Sequence, residues 1–188
     1  MRIVAGEFRG RPLLAPEGEG IRPTSDRVRQ TIFDVLAHSY GDPVPGARVL
    51  DLFAGTGAFG IEAISRGAAS ALFVDDGAEA RGLIRGNVET FGLTGRTRIF
   101  RRDATRLGEV GTVQPFTLVF ADPPYGRGLG EQALASAAAG GWLEPAATIV
   151  LEETAEAKIA AIPGLDLLES RAIGDTAVHF LAVGAPRP

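Results

Sequence analysis

Apolar positions along this chain fall into two rhythms. Short β-favouring runs at 48–53, 71–75, 97–101, 117–121 and 148–152, mostly apolar except that 97–101 carries two arginines, are each the length of one strand. Between them, 58–66, 78–91, 105–109 and 130–139 have helix-forming composition and spacing. Strands alternating with helices predict a parallel sheet covered by helices on both faces. The rhythm changes near the end. Residues 165–173 and 176–183 are both β-rich, and only Gly174-Asp175 separates them. So tight a connection predicts an antiparallel hairpin at one edge of the sheet.

Ahead of the alternating region, Ser25 can cap a helix that runs to about Tyr40 and groups Val28, Ile32, Phe33, Val35 and Leu36 on one face. Residues 3–14 place Gly6 and Gly10 between short β-favouring pieces, which predicts a small hairpin outside the main sheet. Residues 16–23 are a glycine- and proline-rich connector. The expected division is a hairpin and connector over 1–23, with a possible RNA contact, and one α/β domain over 24–188.

Composition narrows the chemistry. There is no cysteine, which excludes disulfides and Cys-based zinc or iron–sulfur sites. The two histidines, His38 and His179, lie far apart, so a His-rich metal site is not expected. His38 falls on a polar helix face, His179 is read as structural, and Trp142 as packing ahead of the fifth strand. No apolar run reaches membrane-spanning length, and the first residues lack the apolar stretch of a secretory signal. A cytoplasmic, metal-independent protein is the expectation. A net charge of −4 does not mark a nucleic-acid binder, but the arginines cluster at 2–29 and 96–106. Such a local basic face can still hold phosphates. The later acids, including Glu152 and Glu153, are read as solvated surface.

Two signatures carry the chemistry. The run 116–121 ends in Asp122-Pro123-Pro124-Tyr125, so a buried strand delivers a carboxylate, two rigid prolines and an aromatic ring to its carboxyl end. Parallel sheets bind ligands there. A carboxylate and a backbone carbonyl can accept both hydrogens of an amine while the ring stacks on a planar substrate. The bland reading is a turn with a capping aspartate. The second signature is the turn that carries Gly55 and Gly57 between the first strand and a helix. Twenty residues after Gly55 stands Asp75 at a strand end, where a ribose needs an acceptor. A nucleotide-type cofactor follows, but a dinucleotide enzyme would share the pattern.

Taken together, these residues resemble a class I S-adenosylmethionine-dependent amino-methyltransferase. More narrowly, the chain is similar to the bacterial 16S ribosomal RNA guanine-N2 methyltransferase family (the RsmD type). The matching pieces are the segment 1–11 with its Arg9-Gly10-Arg11, the segment 22–29 beginning Arg22-Pro23-Thr24, the turn 50–57, Ser65-Arg66-Gly67, Phe73-Val74-Asp75, Asn87, 120–125 and 174–178. The resemblance implies a Rossmann-like fold with a seven-stranded, mostly parallel sheet and an antiparallel last strand. It implies S-adenosylmethionine as cofactor and 16S ribosomal RNA or a small-subunit assembly as partner; a monomer is the expectation.

The resemblance also implies roles. Asp122, Pro123, Pro124 and Tyr125 would hold the amine and base. Asp51, Gly55, Gly57, Asp75, Asp103 and Thr24 would serve the cofactor, Asp103 at its adenine. Arg9, Arg11, Arg22 and Arg27 would contact RNA phosphates or the cofactor carboxylate. Capping or surface roles compete at Asp51, Asp103, Thr24 and each arginine. Three positions depart from the family pattern: Asp75 replaces Glu, Asp76 replaces a basic residue, and Gln30 replaces Glu, which weakens an expected ion pair. An adenine or cytosine amino-methyltransferase of DNA, a non-catalytic RNA-binding assembly factor and a nicotinamide oxidoreductase remain as alternatives.

Overall fold

The computed structural model describes residues 1–16 and 25–184. Its strands are β1 (Arg48–Leu52), β2 (Ser70–Val74), β3 (Thr97–Phe100), β4 (Phe116–Ala121), β5 (Leu143–Thr154), β6 (Leu165–Ile173) and β7 (Thr176–Val183). They form one seven-stranded sheet in the order β3-β2-β1-β4-β5-β7-β6. The first five run parallel, and β7 is antiparallel to both β5 and β6. The predicted mostly parallel sheet with a terminal hairpin is therefore observed. β5 starts at Leu143 rather than 148, because its pairing with β4 shifts register between Phe116 and Leu118. The resulting irregularity tolerates Pro145, which has no N–H to give the ladder.

Four helices cover the sheet: α1 (Asp26–Ser39), α2 (Ala58–Ser65), α3 (Ala78–Thr90) and α4 (Leu129–Ala139). The helix expected at 105–109 is only a 3-10 turn at Ala104–Arg106. Gly108 at φ 68° ends it, and the Leu107 N–H is taken by Ser136 Oγ on α4. Strand side chains alternate between two cores. Val49, Phe73, Leu118, Phe120 and Val150 meet α1, α2 and α3; Leu50, Leu72, Val119, Ile149 and Leu151 meet α4. No helix among the described residues is long and apolar enough to cross a membrane. As expected, His38 is exposed and Trp142 is fully buried. His179 is buried in β7, with Nδ1 bonded to Ser170 Oγ.

The N-terminal segment departs from a plain hairpin. Its arms run antiparallel, but the only bridge among the described residues there joins Arg2 to Pro12, so no strand forms. Pro12 lacks the donor that would extend the ladder. The segment packs inward: Ile3, Phe8 and Leu13 join the α1–α3 core. Glu62 on α2 holds it there. Glu62 is fully buried and accepts the Val4 and Ala5 N–H groups at 2.8 and 3.0 Å. Arg29 of α1 and Arg66 of α2 pair with the same carboxylate at 3.4 and 2.8 Å. Gln30, where an ion pair was expected to weaken, accepts a hydrogen bond from Arg66 at 3.0 Å instead.

Gly6 allows the close approach. It sits at φ 81°, and a Cβ there would lie 1.9 Å from the Ser65 carbonyl oxygen. Removing Glu62 leaves the buried Arg29 guanidinium short of a counter-charge and two backbone donors unpaired. Glu62→Ala should cost about 3–5 kcal/mol of folding free energy, read as a lowered urea midpoint; a loss under about 1 kcal/mol would place the pair among weak surface bridges.

Candidate active site

In-register parallel strands end together. Leu52 pairs with Val74 and with Ala121, and Ala121 pairs with Leu151. The residues that follow therefore emerge along one sheet edge, where a cleft of about 570 Å3 opens. That volume suits a nucleoside-sized ligand. Asp75 follows β2, Asp122 follows β4, and both line the cleft with Asp51 and Gly55. Tyr125 and both prolines line it as well.

At one end, the turn after β1 is wound through left-handed conformations at Phe53 (φ 56°), Gly55 (57°) and Gly57 (78°). Phe53 is a non-glycine residue in that region, which stores strain at the cleft wall. Three side chains hold the turn. Asp75 accepts the Gly55 N–H with Oδ2 at 3.0 Å and the Gly77 N–H with Oδ1 at 2.8 Å. Asn87 donates to the Thr56 carbonyl at 2.9 Å. Asp51 accepts the Gly60 N–H at 2.9 Å and so caps α2 from the neighbouring strand. Its helix N-cap, Gly57, has no side chain for that task.

Some expected placements change. Gly57 does not line the cleft. It faces the core, where a Cβ would meet Phe73 at 3.2 Å, so its glycine serves the turn and packing. Asp103 also stays off the cleft. It caps the 3-10 turn through Thr105 N and Oγ1 at 2.8 and 2.7 Å, and these bonds lower its pKa. Its orientation gives the adenine role no support. Thr24 and Arg22 lie outside the described residues.

The other end is the loop after β4. Pro123 is buried, while Asp122 is half-buried. Two consecutive glutamates of β5 clamp the loop. Glu152 Oε1 accepts the Tyr125 hydroxyl at 2.6 Å, and Glu153 Oε1 accepts the Gly126 N–H at 3.0 Å. Burial, and then the Glu152 bond, push the Tyr125 hydroxyl pKa above its ordinary range. Both glutamates are 3% exposed, which corrects their reading as solvated surface. Their place at the end of an apolar parallel strand was the signal available in the sequence. Further wall residues that sequence reasoning did not single out include Met1, Ser25, Val28, Glu79 and Thr176.

None of the arginine candidates among the described residues lines the cleft. Arg9 and Arg27 are exposed. Arg11 lies over the Phe91 ring at 4.3 Å and donates to the Thr90 carbonyl at 2.8 Å, so it ties the N-terminal segment to α3.

The sequence matches the family described as Conserved hypothetical protein 95 over residues 1–182. It is 41% identical over 165 residues to ribosomal RNA small subunit methyltransferase D of Escherichia coli K12, covering 87% of this chain and 79% of that protein. The chain belongs to this family, in which it groups with the RsmD-type methyltransferases. The protein of the same name from Haemophilus influenzae is 31% identical over 176 residues, 93% of this chain and 89% of that one. A solved Escherichia coli structure, yhhF, provisionally described as a methyltransferase, superposes with a TM-score of 0.81 at 34% identity and 97% coverage of both chains. The Rossmann-like methyltransferase fold expected from the sequence is the observed one.

In this family member the cleft is strongly acidic. Asp51, Asp75, Asp76, Glu79, Asp122 and Glu152 line it, and no Lys or Arg does among the described residues. Asp51 shows the cost. Burial raises its pKa from 3.8 to about 8, against the lowering effect of the Gly60 N–H and with a further push from Asp75. A raised carboxylate pKa favours the protonated folded state. The stability linked to it is present below about 4 and is lost as pH rises to about 8. Asp51→Asn keeps an oxygen for Gly60 and removes the charge. Urea midpoints of the cofactor-free protein should fall across that pH window in the wild type more than in the variant; identical pH profiles would contradict the assignment.

Proposed function

We propose that this protein transfers a methyl group from S-adenosylmethionine to the exocyclic N2 amine of a guanine in 16S ribosomal RNA. One observation carries the reading: a single acid-lined cleft joins the Gly55–Asp75 corner to Asp122 and Tyr125. The names of the relatives, ribosomal RNA small subunit methyltransferase D, support ribosomal RNA as the substrate class.

Charge supports the choice of cofactor. S-adenosylmethionine carries a sulfonium and an ammonium against one carboxylate, so the cleft carboxylates that stay ionised attract it. A dinucleotide brings an anionic pyrophosphate, for which the described lining supplies no Lys or Arg side chain. In this reading Asp75 accepts from the ribose hydroxyls, and each of its carboxylate oxygens retains acceptor capacity beyond its bond to Gly55 or Gly77. When bound, the cofactor supplies an electrophilic methyl group.

The chain's own residues prepare the amine. A guanine N2 lone pair is delocalised into the ring and attacks poorly. Acceptance of its two hydrogens by the Asp122 carboxylate and the Pro123 carbonyl favours the geometry in which the lone pair is available. Tyr125 stacks on the base, and Pro124 stiffens the loop, so the amine is held in line with the methyl group. Once the new N–C bond forms, the amine proton is acidic and leaves through Asp122 or water. A base inside structured RNA must be turned out to reach Tyr125. The exposed Arg9 and Arg27 are suited to phosphates beside it.

The test incubates the protein with labelled S-adenosylmethionine and unmodified 16S RNA, naked or as assembled small subunits, and identifies the labelled nucleoside. N2-methylguanosine is expected, and Asp122→Ala should lower turnover by at least about 100-fold while cofactor binding persists. Label in another nucleoside, or full activity of the variant, contradicts the reading. Arg9→Ala with Arg27→Ala should weaken RNA binding and reduce its salt slope by about 2; an unchanged slope removes these arginines from the interface.

A further inference from the structure

We propose that Glu152 reads the ring N1–H of the target guanine, and so selects guanine over bases whose amine adjoins a ring acceptor. This inference rests on the function proposed above and assigns a specificity residue to the same site.

Sheet register supplies the geometry. Ala121 of β4 pairs with Leu151 of the parallel strand β5, so Asp122 and Glu152 are the next positions on neighbouring strands. Neighbouring strands lie about 4.8 Å apart. Phe120 and Val150 both face the α1–α3 core, while Ala121 and Leu151 both face α4. Alternation therefore returns Asp122 and Glu152 to one side, and both line the cleft. The bond from Tyr125 to Glu152 adds a third constraint at 2.6 Å. It ties the rim of the stacking ring to this carboxylate, so a base lying on the ring presents its edge to Glu152. A carboxylate offers about four acceptor sites, and the Tyr125 bond by itself does not exhaust them.

The chemistry of the bases then decides which one fits. Guanine presents a ring N–H donor directly beside its N2 amine. Adenine presents the bare N1 acceptor beside its amine, and cytosine the bare N3. A carboxylate next to the amine site receives a charge-assisted hydrogen bond from guanine and meets a lone pair on the other two. Sites built around such a bond discriminate strongly against analogues that lack the donor.

Two substitutions separate reading from positioning. Glu152→Gln keeps an oxygen to accept the Tyr125 hydroxyl but adds an amide donor. Tyr125→Phe removes the hydroxyl bond and keeps the carboxylate. The target guanine is located by mapping the wild-type product, and the same RNA is prepared with 2-aminopurine at that position. That base keeps the amine but has an acceptor at N1. The wild type should prefer guanine in kcat/KM by roughly 10- to 100-fold. Glu152→Gln should bring the ratio close to one, and Tyr125→Phe should slow both substrates while keeping the ratio. The O6 that 2-aminopurine lacks affects all enzymes alike, so the change in ratio isolates the N1 contact. A wild-type ratio near one, or an unchanged ratio in Glu152→Gln, overturns the inference and leaves the proposed function standing. If the Gln variant does not fold, RNA with 1-methylguanine at the target, which keeps O6 and the amine but has no N1–H, replaces it: a large loss of kcat/KM is expected, and turnover equal to guanine overturns the inference. No N2-methylguanosine from the wild type would overturn both.

Discussion

Parallel register is the constraint on which the site depends. Because β1, β2, β4 and β5 pair in step, the residues just beyond them share one sheet edge. Asp75, Asp122 and Glu152 are assembled by that rule, although 30 to 77 residues separate them along the chain. Concentrating carboxylates this way opposes folding through repulsion and desolvation. Backbone donors offset part of the cost: Gly55 and Gly77 bind Asp75, and Gly60 binds Asp51. The remaining imbalance matches a ligand that arrives with positive charge.

A second buried carboxylate organises the opposite wall. Glu62 draws the N-terminal segment, α1 and α2 together, and the same arrangement brings Met1, Ser25 and Val28 to the cleft. Asn87 links this wall to the Gly55–Asp75 corner, since it bonds Leu14 at both its backbone N and O and also the Thr56 carbonyl. The N-terminal segment is therefore part of the domain's core rather than an appendage, whatever its exposed arginines do toward RNA.

Much of this was legible in the sequence. Short apolar or β-favouring runs broken by helical segments located every strand, and the two-residue connection at Gly174-Asp175 located the terminal hairpin. Asp122–Tyr125, Asp51, Gly55 and Asp75 were legible because short motifs at strand ends occupy the one edge where parallel sheets bind ligands. Several of the misses share a cause: their roles depend on residues distant in sequence. Glu152 and Glu153 look like surface charges until β5 is placed beside β4. Glu62 and Arg29 look like an ordinary helix face until the N-terminal segment folds over them. Gly57 was assigned to the ligand, yet its missing side chain makes room for Phe73. Asp103 was placed by analogy, and its nearest donors turn it toward Thr105. At 105–109 the helical composition was overridden by Gly108 and by the contact with Ser136.

The central claim is that an acid-lined cleft takes a cationic nucleoside at the Gly55–Asp75 corner. The most direct measurement is an equilibrium titration of the purified protein with S-adenosylmethionine and with a nicotinamide dinucleotide, repeated on Asp75→Ala. The account predicts saturable S-adenosylmethionine binding, much weaker in the variant, with no displacement by the dinucleotide. Tighter binding of the dinucleotide, or S-adenosylmethionine affinity indifferent to Asp75, would contradict it.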